Sequence, residues 1–331
     1  MDEDRLRRYL RSSLGQDDIN VHNLQYITSG WETEILSFDL EKSTGQVLNL
    51  VARIYPGADA VSKAQKESSI MRKIHEIGYP VPRVHIVETE SFQLGNPFII
   101  MDRINGNTLD DKLHEDQRRW LRVFFDLFVR LHKLDWRRLT PQDKIPMFED
   151  PYFYIKSTLS EIEIGLKHIG KEEFLPIVDW ARDRYTDVPC KTPSIIHGDF
   201  HPFNILVDED DRAFVIDWGA ARIADFRMDL AWTILLSYAY DTRERSDLLL
   251  RGYETVLGQK VDQIEYFEVL SSLRRLVDVT SAFEGSSNMR PEAVEIMKET
   301  AGHIVRVRNR LEDLTSIIIP EVERFIDDLT N

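Results

Sequence analysis

One run of the 331-residue chain constrains its fold more than any other. It reads Ser194-Ile-Ile-His-Gly-Asp-Phe-His-Pro-Phe-Asn-Ile-Leu-Val207, then Asp208 to Arg212, then Ala213-Phe-Val-Ile-Asp-Trp-Gly219. Residues 205–207 and 214–216 are short, apolar and rich in β-branched side chains, and an acidic turn joins them, which predicts a hairpin. Pairing Ile205 with Ile216 and Val207 with Phe214 sets Asn204 opposite Asp217. Facing residues on antiparallel strands lie about 5 Å apart. The expected register therefore gathers an amide oxygen and a carboxylate at the open end of the hairpin, and Asp199 stands in the loop that feeds it.

Two oxygen ligands and a separate carboxylate suit a magnesium-dependent transfer. Mg2+ takes one or two protein oxygens and completes its shell with phosphates and water. The remaining carboxylate can accept the proton of a hydroxyl that attacks phosphorus. His197, Asp199 and Asn204 have the spacing of a protein-kinase catalytic loop, and Asp217-Trp-Gly219 stands where kinases carry Asp-Phe-Gly. With Gly198 in place of Arg, the string His-Gly-Asp-x-x-x-x-Asn followed by Ile216-Asp-Trp resembles the aminoglycoside phosphotransferase and choline kinase-like family. These are small-molecule kinases on a protein kinase-like fold. The resemblance implies Asp199 as catalytic base and Asn204 and Asp217 as magnesium ligands. Two other readings of the residues stay open. His197, Asp199 and His201 have the types of a hydrolase metal triad, although that leaves Asn204 and the second motif without a role. The two aspartates could also be structural caps.

Charge narrows the partners. Lys and Arg number 42 against 57 Asp and Glu, a net charge of -15, which disfavours nucleic acid and anionic membrane. It permits an amine-bearing acceptor. Cys190 is the only cysteine, so no intrachain disulfide forms and a reducing compartment is expected. The acidic N-terminus carries no secretory apolar segment, and no run approaches the roughly 18 apolar residues of a membrane span. The expected location is the cytoplasm.

Along the chain, the periodicity predicts a helix over 3–14, strands over 24–27, 33–40 and 46–55, a helix over 60–76, and strands over 84–87 and 98–101. From Thr108 onward the pattern is helical almost throughout, including helices at 172–186, 230–240 and 291–315. The fold class is therefore α+β: a two-lobed, protein kinase-like architecture with an antiparallel N-lobe (1–102), a hinge (103–106) and a mostly helical C-lobe (107–331). The family resemblance extends to further residues. The turn with Ser29 and Gly30 resembles a phosphate loop, with Thr33 where many members carry Asn. Arg53 stands where kinases hold the α- and β-phosphates with Lys, and Glu67 is its candidate acidic partner. Backbone groups of Asp102, Arg103 and Ile104 would meet adenine, and Gly106 would let the chain turn. Asp229, in an Asp-Leu-Ala string, would brace the catalytic loop. Tyr152, Phe153, Tyr154, Glu161 and Glu163 are candidates for an acceptor pocket, with packing of the aromatics and solvation of the acids the preferred reading of each one individually.

The implied reaction moves the γ-phosphoryl of ATP to a hydroxyl of a small molecule with Mg2+; GTP stays open beside ATP, as do the acceptor and the oligomeric state. A catalytically silent ligand-binding protein on the same fold is the alternative. A protein kinase is a further one, weakened because no Ala-Pro-Glu follows Gly219.

Overall fold

The computed structural model describes residues 3–27, 33–90, 95–241, 243–283 and 302–330. The expected break at 284–288 and the first part of the 291–315 helix lie outside the described residues. The chain divides into two compact units, residues 1–117 with 202–219 and residues 118–201 with 220–331.

The first unit opens with α1 (Glu3–Leu14), β1 (Asn20–Ile27), β2 (Glu34–Glu41) and β3 (Val47–Ile54). It continues through α2 (Ala60–Glu76), β4 (Val84–Glu88), β5 (Phe98–Asp102), β6 (Gly106–Thr108) and α3 (Leu109–Glu115). Five strands form one sheet in the order β1-β2-β3-β5-β4, each neighbouring pair antiparallel. Alternation along the strands divides the faces. Leu36, Phe38 and Leu40 of β2 and Leu50, Ala52 and Ile54 of β3 join Leu6, Tyr9 and Leu10 of α1 in one core. The residues between them on β3, Val51 and Arg53, take the other face, and there α2 buries Ala64, Glu67, Met71 and Ile74. The pleat thus sends Arg53 toward α2.

The second unit holds most of α4 (Gln117–His132), then α5 (Phe153–His168), α6 (Leu175–Arg182) and β7 (Ser194–Ile196). The chain then returns to the first unit for the hairpin of β8 (Ile205–Asp208) and β9 (Ala213–Val215). Back in the second unit come β10 (Arg222–Ala224), α7 (Phe226–Tyr240), α8 (Arg243–Leu257), α9 (Ile264–Phe283), α10 (Gly302–Thr315) and α11 (Pro320–Thr330). Helix α6 is shorter than the expected 172–186, because 3-10 turns at Glu172–Phe174 and Tyr185–Asp187 flank it. Helix α7 begins earlier than expected, where the Asp225 carboxylate accepts the Arg227 backbone N–H at 3.0 Å as an N-cap. No described helix is long and apolar enough to cross a membrane.

The hairpin forms, but its register differs from the expected one. Ile205 pairs with Val215, Leu206 with Phe214 and Val207 with Ala213, a slip of one residue. The cause lies in the turn. Asp208 N–H donates to the Arg212 carbonyl at 3.0 Å, so three residues span the tip instead of four. The third of them, Asp211, adopts a left-handed φ of 58°. The Asp208 carboxylate locks this loop by accepting the N–H groups of Asp210 at 3.0 Å and Arg212 at 2.9 Å. As a result the Asn204 carbonyl faces Ile216, whose N–H it accepts at 2.9 Å, and Asp217 leaves the ladder. Gly106 also has a different role from the turn expected of it. It opens β6 opposite Asp208, and a Cβ there would lie 1.8 Å from the Val207 carbonyl oxygen.

Candidate active site

The residues singled out by the sequence fall into two clusters, one in each unit. In the first unit, Asp217 has a φ of 65°, uncommon for a non-glycine residue. The next residue explains how it is held there. Trp218 is fully buried, donates its indole N–H to the Val215 carbonyl at 2.9 Å, and meets Tyr79 edge-on at 5.8 Å. The left-handed twist turns the Asp217 carboxylate toward Arg53, whose Nη2 donates to Oδ1 at 2.7 Å. Arg53 Nε lies 3.6 Å from Glu67 Oε2, so one guanidinium bridges two carboxylates. Its burial disfavours the charge, but Glu67 and then Asp217 more than compensate and raise its pKa. Glu67 is 1% exposed, and burial pushes its pKa up against the lowering effect of Arg53. Tyr55, two residues beyond Arg53, donates its hydroxyl to Glu67 Oε2 at 2.7 Å. The sequence singled out Arg53, Glu67 and Asp217 and missed Tyr55, although the 53/55 spacing placed both side chains on one face.

The donor set suits a hard cation. The Asp217 side chain keeps 42% exposure with one oxygen on Arg53. With an oxygen from Asn204, in the 3-10 turn Pro202–Asn204 that feeds β8, it matches the one or two protein ligands that Mg2+ accepts beside phosphate. The hinge is more restricted. Asp102 and Arg103 spend their N–H groups on the carbonyls of Arg83 at 3.0 Å and Asn49 at 2.9 Å. Their side chains engage His85 at 2.6 Å and Asp39 at 2.8 Å. Ser29 and Gly30 lie outside the described residues, and Thr33 is buried.

In the second unit, helix α7 organises the loop after β7. Asp229 is fully buried and accepts the backbone N–H groups of His197 at 2.7 Å and Gly198 at 2.8 Å. The expected brace is present. His132 Nε2 adds a third donor at 3.2 Å, while its Nδ1 accepts from the Tyr253 hydroxyl at 2.7 Å. Thr233 Oγ1 donates to the Phe200 carbonyl at 2.6 Å, and Arg274 Nη1 to the Gly198 carbonyl at 2.7 Å. The Phe200 ring stacks on Phe128 of α4, with centroids 4.1 Å apart and planes 2° apart. Gly198 has a φ of 82° and would place a Cβ 2.8 Å from the Ala220 carbonyl oxygen, so no other residue fits this bend.

Asp199 is held on this rigid loop. Trp232 Nε1 donates to its Oδ1 at 2.7 Å, and His201 Nε2 lies 3.4 Å from Oδ2. Burial would raise its pKa, but His201, the Trp232 hydrogen bond and the charge of Arg274 outweigh burial, leaving it well below the ordinary carboxylate range. The carboxylate is therefore ionised at neutral pH.

His197 is fully buried, and its ring meets Phe200 edge-on at 5.9 Å. Among the described residues no three His, Cys, Asp or Glu side chains are grouped to hold a metal, so the hydrolase triad is not assembled. Arg274 of α9 belongs to the loop's support through the Gly198 carbonyl. The pocket candidates are largely structural. Tyr154 packs with Cys190, Ile196 and Ala224. Glu163 pairs with Lys167 and Arg182, and Glu161 accepts from Ser157 at 2.9 Å.

The sequence matches the model of the phosphotransferase enzyme family over residues 23–266. Among curated proteins it is similar to the leucine-rich repeat receptor-like protein kinase PEPR1 of Arabidopsis thaliana, 27% identical over 148 residues. That match covers 44% of this chain and 12% of that much longer protein. Solved structures share the fold along nearly the whole chain. A thermostable mutant of aminoglycoside phosphotransferase APH(4)-Ia, crystallised with ADP and hygromycin B, superposes with a TM-score of 0.60 at 18% identity over 94% of this chain and 98% of its own. Choline kinase LicA from Streptococcus pneumoniae gives 0.58 at 15% identity over 95% and 99%. A choline/ethanolamine kinase family protein from Mesorhizobium loti gives 0.58 at 15% identity over 98% of both chains.

Proposed function

Because the chain belongs to the phosphotransferase enzyme family, we propose that it transfers the γ-phosphoryl group of ATP to a hydroxyl of a small, amine-bearing molecule in the cytoplasm. The observation that carries this reading is the catalytic loop. Asp229, Thr233 and Arg274 clamp its backbone, and it presents one ionised carboxylate, Asp199, with no other acid or base needed for the step. Asp199 accepts the proton of the acceptor hydroxyl. The hydroxyl oxygen forms a bond to the γ-phosphorus as the bond from that phosphorus to the β–γ bridging oxygen breaks, and ADP leaves. Asn204 and Asp217 would hold Mg2+, which when bound supplies positive charge against the phosphates. Arg53, steadied by Glu67 and Tyr55, exchanges its contact with Asp217 for the α- and β-phosphates. Within the 103–106 hinge, the N–H of Ile104 meets adenine, since those of Asp102 and Arg103 are already engaged. The N-lobe (1–102) binds nucleotide and the C-lobe (107–331) the acceptor.

The test is incubation with Mg·ATP and pooled hydroxyl-bearing metabolites and antibiotics, read by mass spectrometry. One compound gains a phosphoryl group with the wild-type protein and not with Asp199→Asn, while Mg·ATP still raises the melting temperature of that variant. Transfer by Asp199→Asn at the wild-type rate overturns the assignment. Tight Mg·ATP binding without transfer to any acceptor returns a silent binding protein.

A further inference from the structure

Helix α7 reads the catalytic loop residue by residue. Asp229, Trp232 and Thr233 stand at i, i+3 and i+4, on one helical face. Asp229 takes the N–H groups of His197 and Gly198, Trp232 contacts Asp199, and Thr233 takes the Phe200 carbonyl. Three of these four hydrogen bonds fix backbone. The fourth, from Trp232, falls on the reacting carboxylate itself.

We propose that Trp232 is the positioning residue of the catalytic base: its indole N–H occupies Oδ1 of Asp199, so that Oδ2 is the oxygen that receives the acceptor's proton. This assignment of Oδ2 rests on the phosphotransfer reading; the hydrogen bond that sets it does not.

The chemistry of the donor supports the role. An indole N–H only donates, so it cannot compete for the transferred proton. At 2.7 Å the contact has the length of a hydrogen bond to an ionised acceptor. A carboxylate rotates through a broad, two-fold well, and one directed donor on one oxygen is what selects an orientation. On the other oxygen, Oδ2, His201 Nε2 stands at 3.4 Å. Trp232 is itself fixed. It is 5% exposed, and the Arg274 guanidinium carbon sits 3.8 Å from its ring centroid. A cation on the indole face withdraws charge from the ring and strengthens its N–H as a donor. Arg274 in turn is tied to the same loop through the Gly198 carbonyl, and its Nε lies 3.7 Å from Asp278 Oδ2. Arg274, Trp232 and Asp199 therefore form one continuous chain of contacts that begins and ends on the catalytic loop.

The test uses the full chain and has two arms. In a 15N spectrum, the chain's six tryptophans give separate indole resonances. Trp232's, assigned through its own backbone, should lie downfield, move upfield in Asp199→Asn, and exchange with solvent faster there. In steady-state kinetics, Trp232→Phe keeps the ring and loses only the donor. It should lower kcat by about tenfold to a hundredfold, as a misplaced reacting group does, with KM for ATP unchanged. Arg274→Met should lower kcat less and shift the Trp232 indole upfield. An indole resonance indifferent to Asp199→Asn overturns the proposal even if Trp232→Phe fails to fold. Wild-type kcat in a folded Trp232→Phe also overturns it. If the wild-type protein transfers no phosphoryl group, the enzymatic reading and the role of Oδ2 fall together, and the spectrum alone decides whether Trp232 holds Asp199.

Discussion

Replacing Asp229 by Asn changes one atom of a fully buried side chain and removes its charge. The native carboxylate accepts three donors, the N–H groups of His197 and Gly198 and Nε2 of His132. An amide offers one acceptor oxygen and turns its NH2 toward a backbone N–H that also only donates. One buried N–H is then left unpaired, a cost of about 1–3 kcal/mol, and the remaining bonds weaken from charge-assisted to neutral, roughly 1 kcal/mol more. The expected loss is about 3 kcal/mol, read as a lower urea midpoint at unchanged slope by far-UV circular dichroism. Asp229→Ala orphans all three donors and should cost about 4 kcal/mol or more. The kinetic consequence separates positioning from binding. Released from Asp229, the loop misplaces Asp199, so kcat should fall by about a hundredfold while the nucleotide still raises the melting temperature. A loss below about 0.5 kcal/mol in the Asn variant, within the range of a neutral surface change, would show that the three contacts do not hold the loop.

Gly198→Ala sets a Cβ 2.8 Å from the Ala220 carbonyl oxygen at a φ of 82°, so transfer activity should be lost and stability fall by about 2 kcal/mol or more, measured by the same assays. Arg227 is buried, forks onto both oxygens of Asp225 at 3.0 and 2.7 Å and donates to the Pro189 carbonyl at 2.8 Å. Arg227→Met should therefore cost about 3–5 kcal/mol by stranding Asp225, and the double variant with Asp225→Asn should recover part of it in urea unfolding. Because the folded Asp199 carboxyl titrates below its unfolded value, its contribution to stability is present above a pH of about 4 and is lost as pH falls below that. Asp199→Asn should thus flatten the acid limb of the melting temperature against pH; an unchanged limb contradicts the depressed titration. Burial pushes the Cys190 thiol up, with the Asp225 charge adding to it, so the native protein should not react with a disulfide reagent at pH 8 and should release one equivalent only on denaturation.

The local pattern carried most of the fold. Strand alternation and helical stripes located the sheet and the early helices within a few residues, because burial of an apolar face has a period that can be counted along the chain. It failed at the hairpin tip, where the expected register assumed a four-residue turn. The Asp208 carboxylate prefers two backbone N–H groups and the Arg212 guanidinium, and the resulting three-residue loop shifts every pair by one. Nothing in the local pattern marks Arg274 of α9 as a support of the loop, because a cation in a helix shows its partner only once the loop it reaches is in place.

What the sequence determined by itself was which polar groups the candidate site offers: Asp199, Asn204 and Asp217 stand out by residue type and spacing, and those are covalent facts. What only the tertiary structure decided was how these groups are supported. Tyr55 on Glu67, His132 on Asp229, and Trp232 with Arg274 on the catalytic loop are partners separated by 12 to 97 residues. No local pattern specifies such contacts, because they arise when packed helices and strands bring buried polar groups together and each group must find a partner in the space that packing leaves.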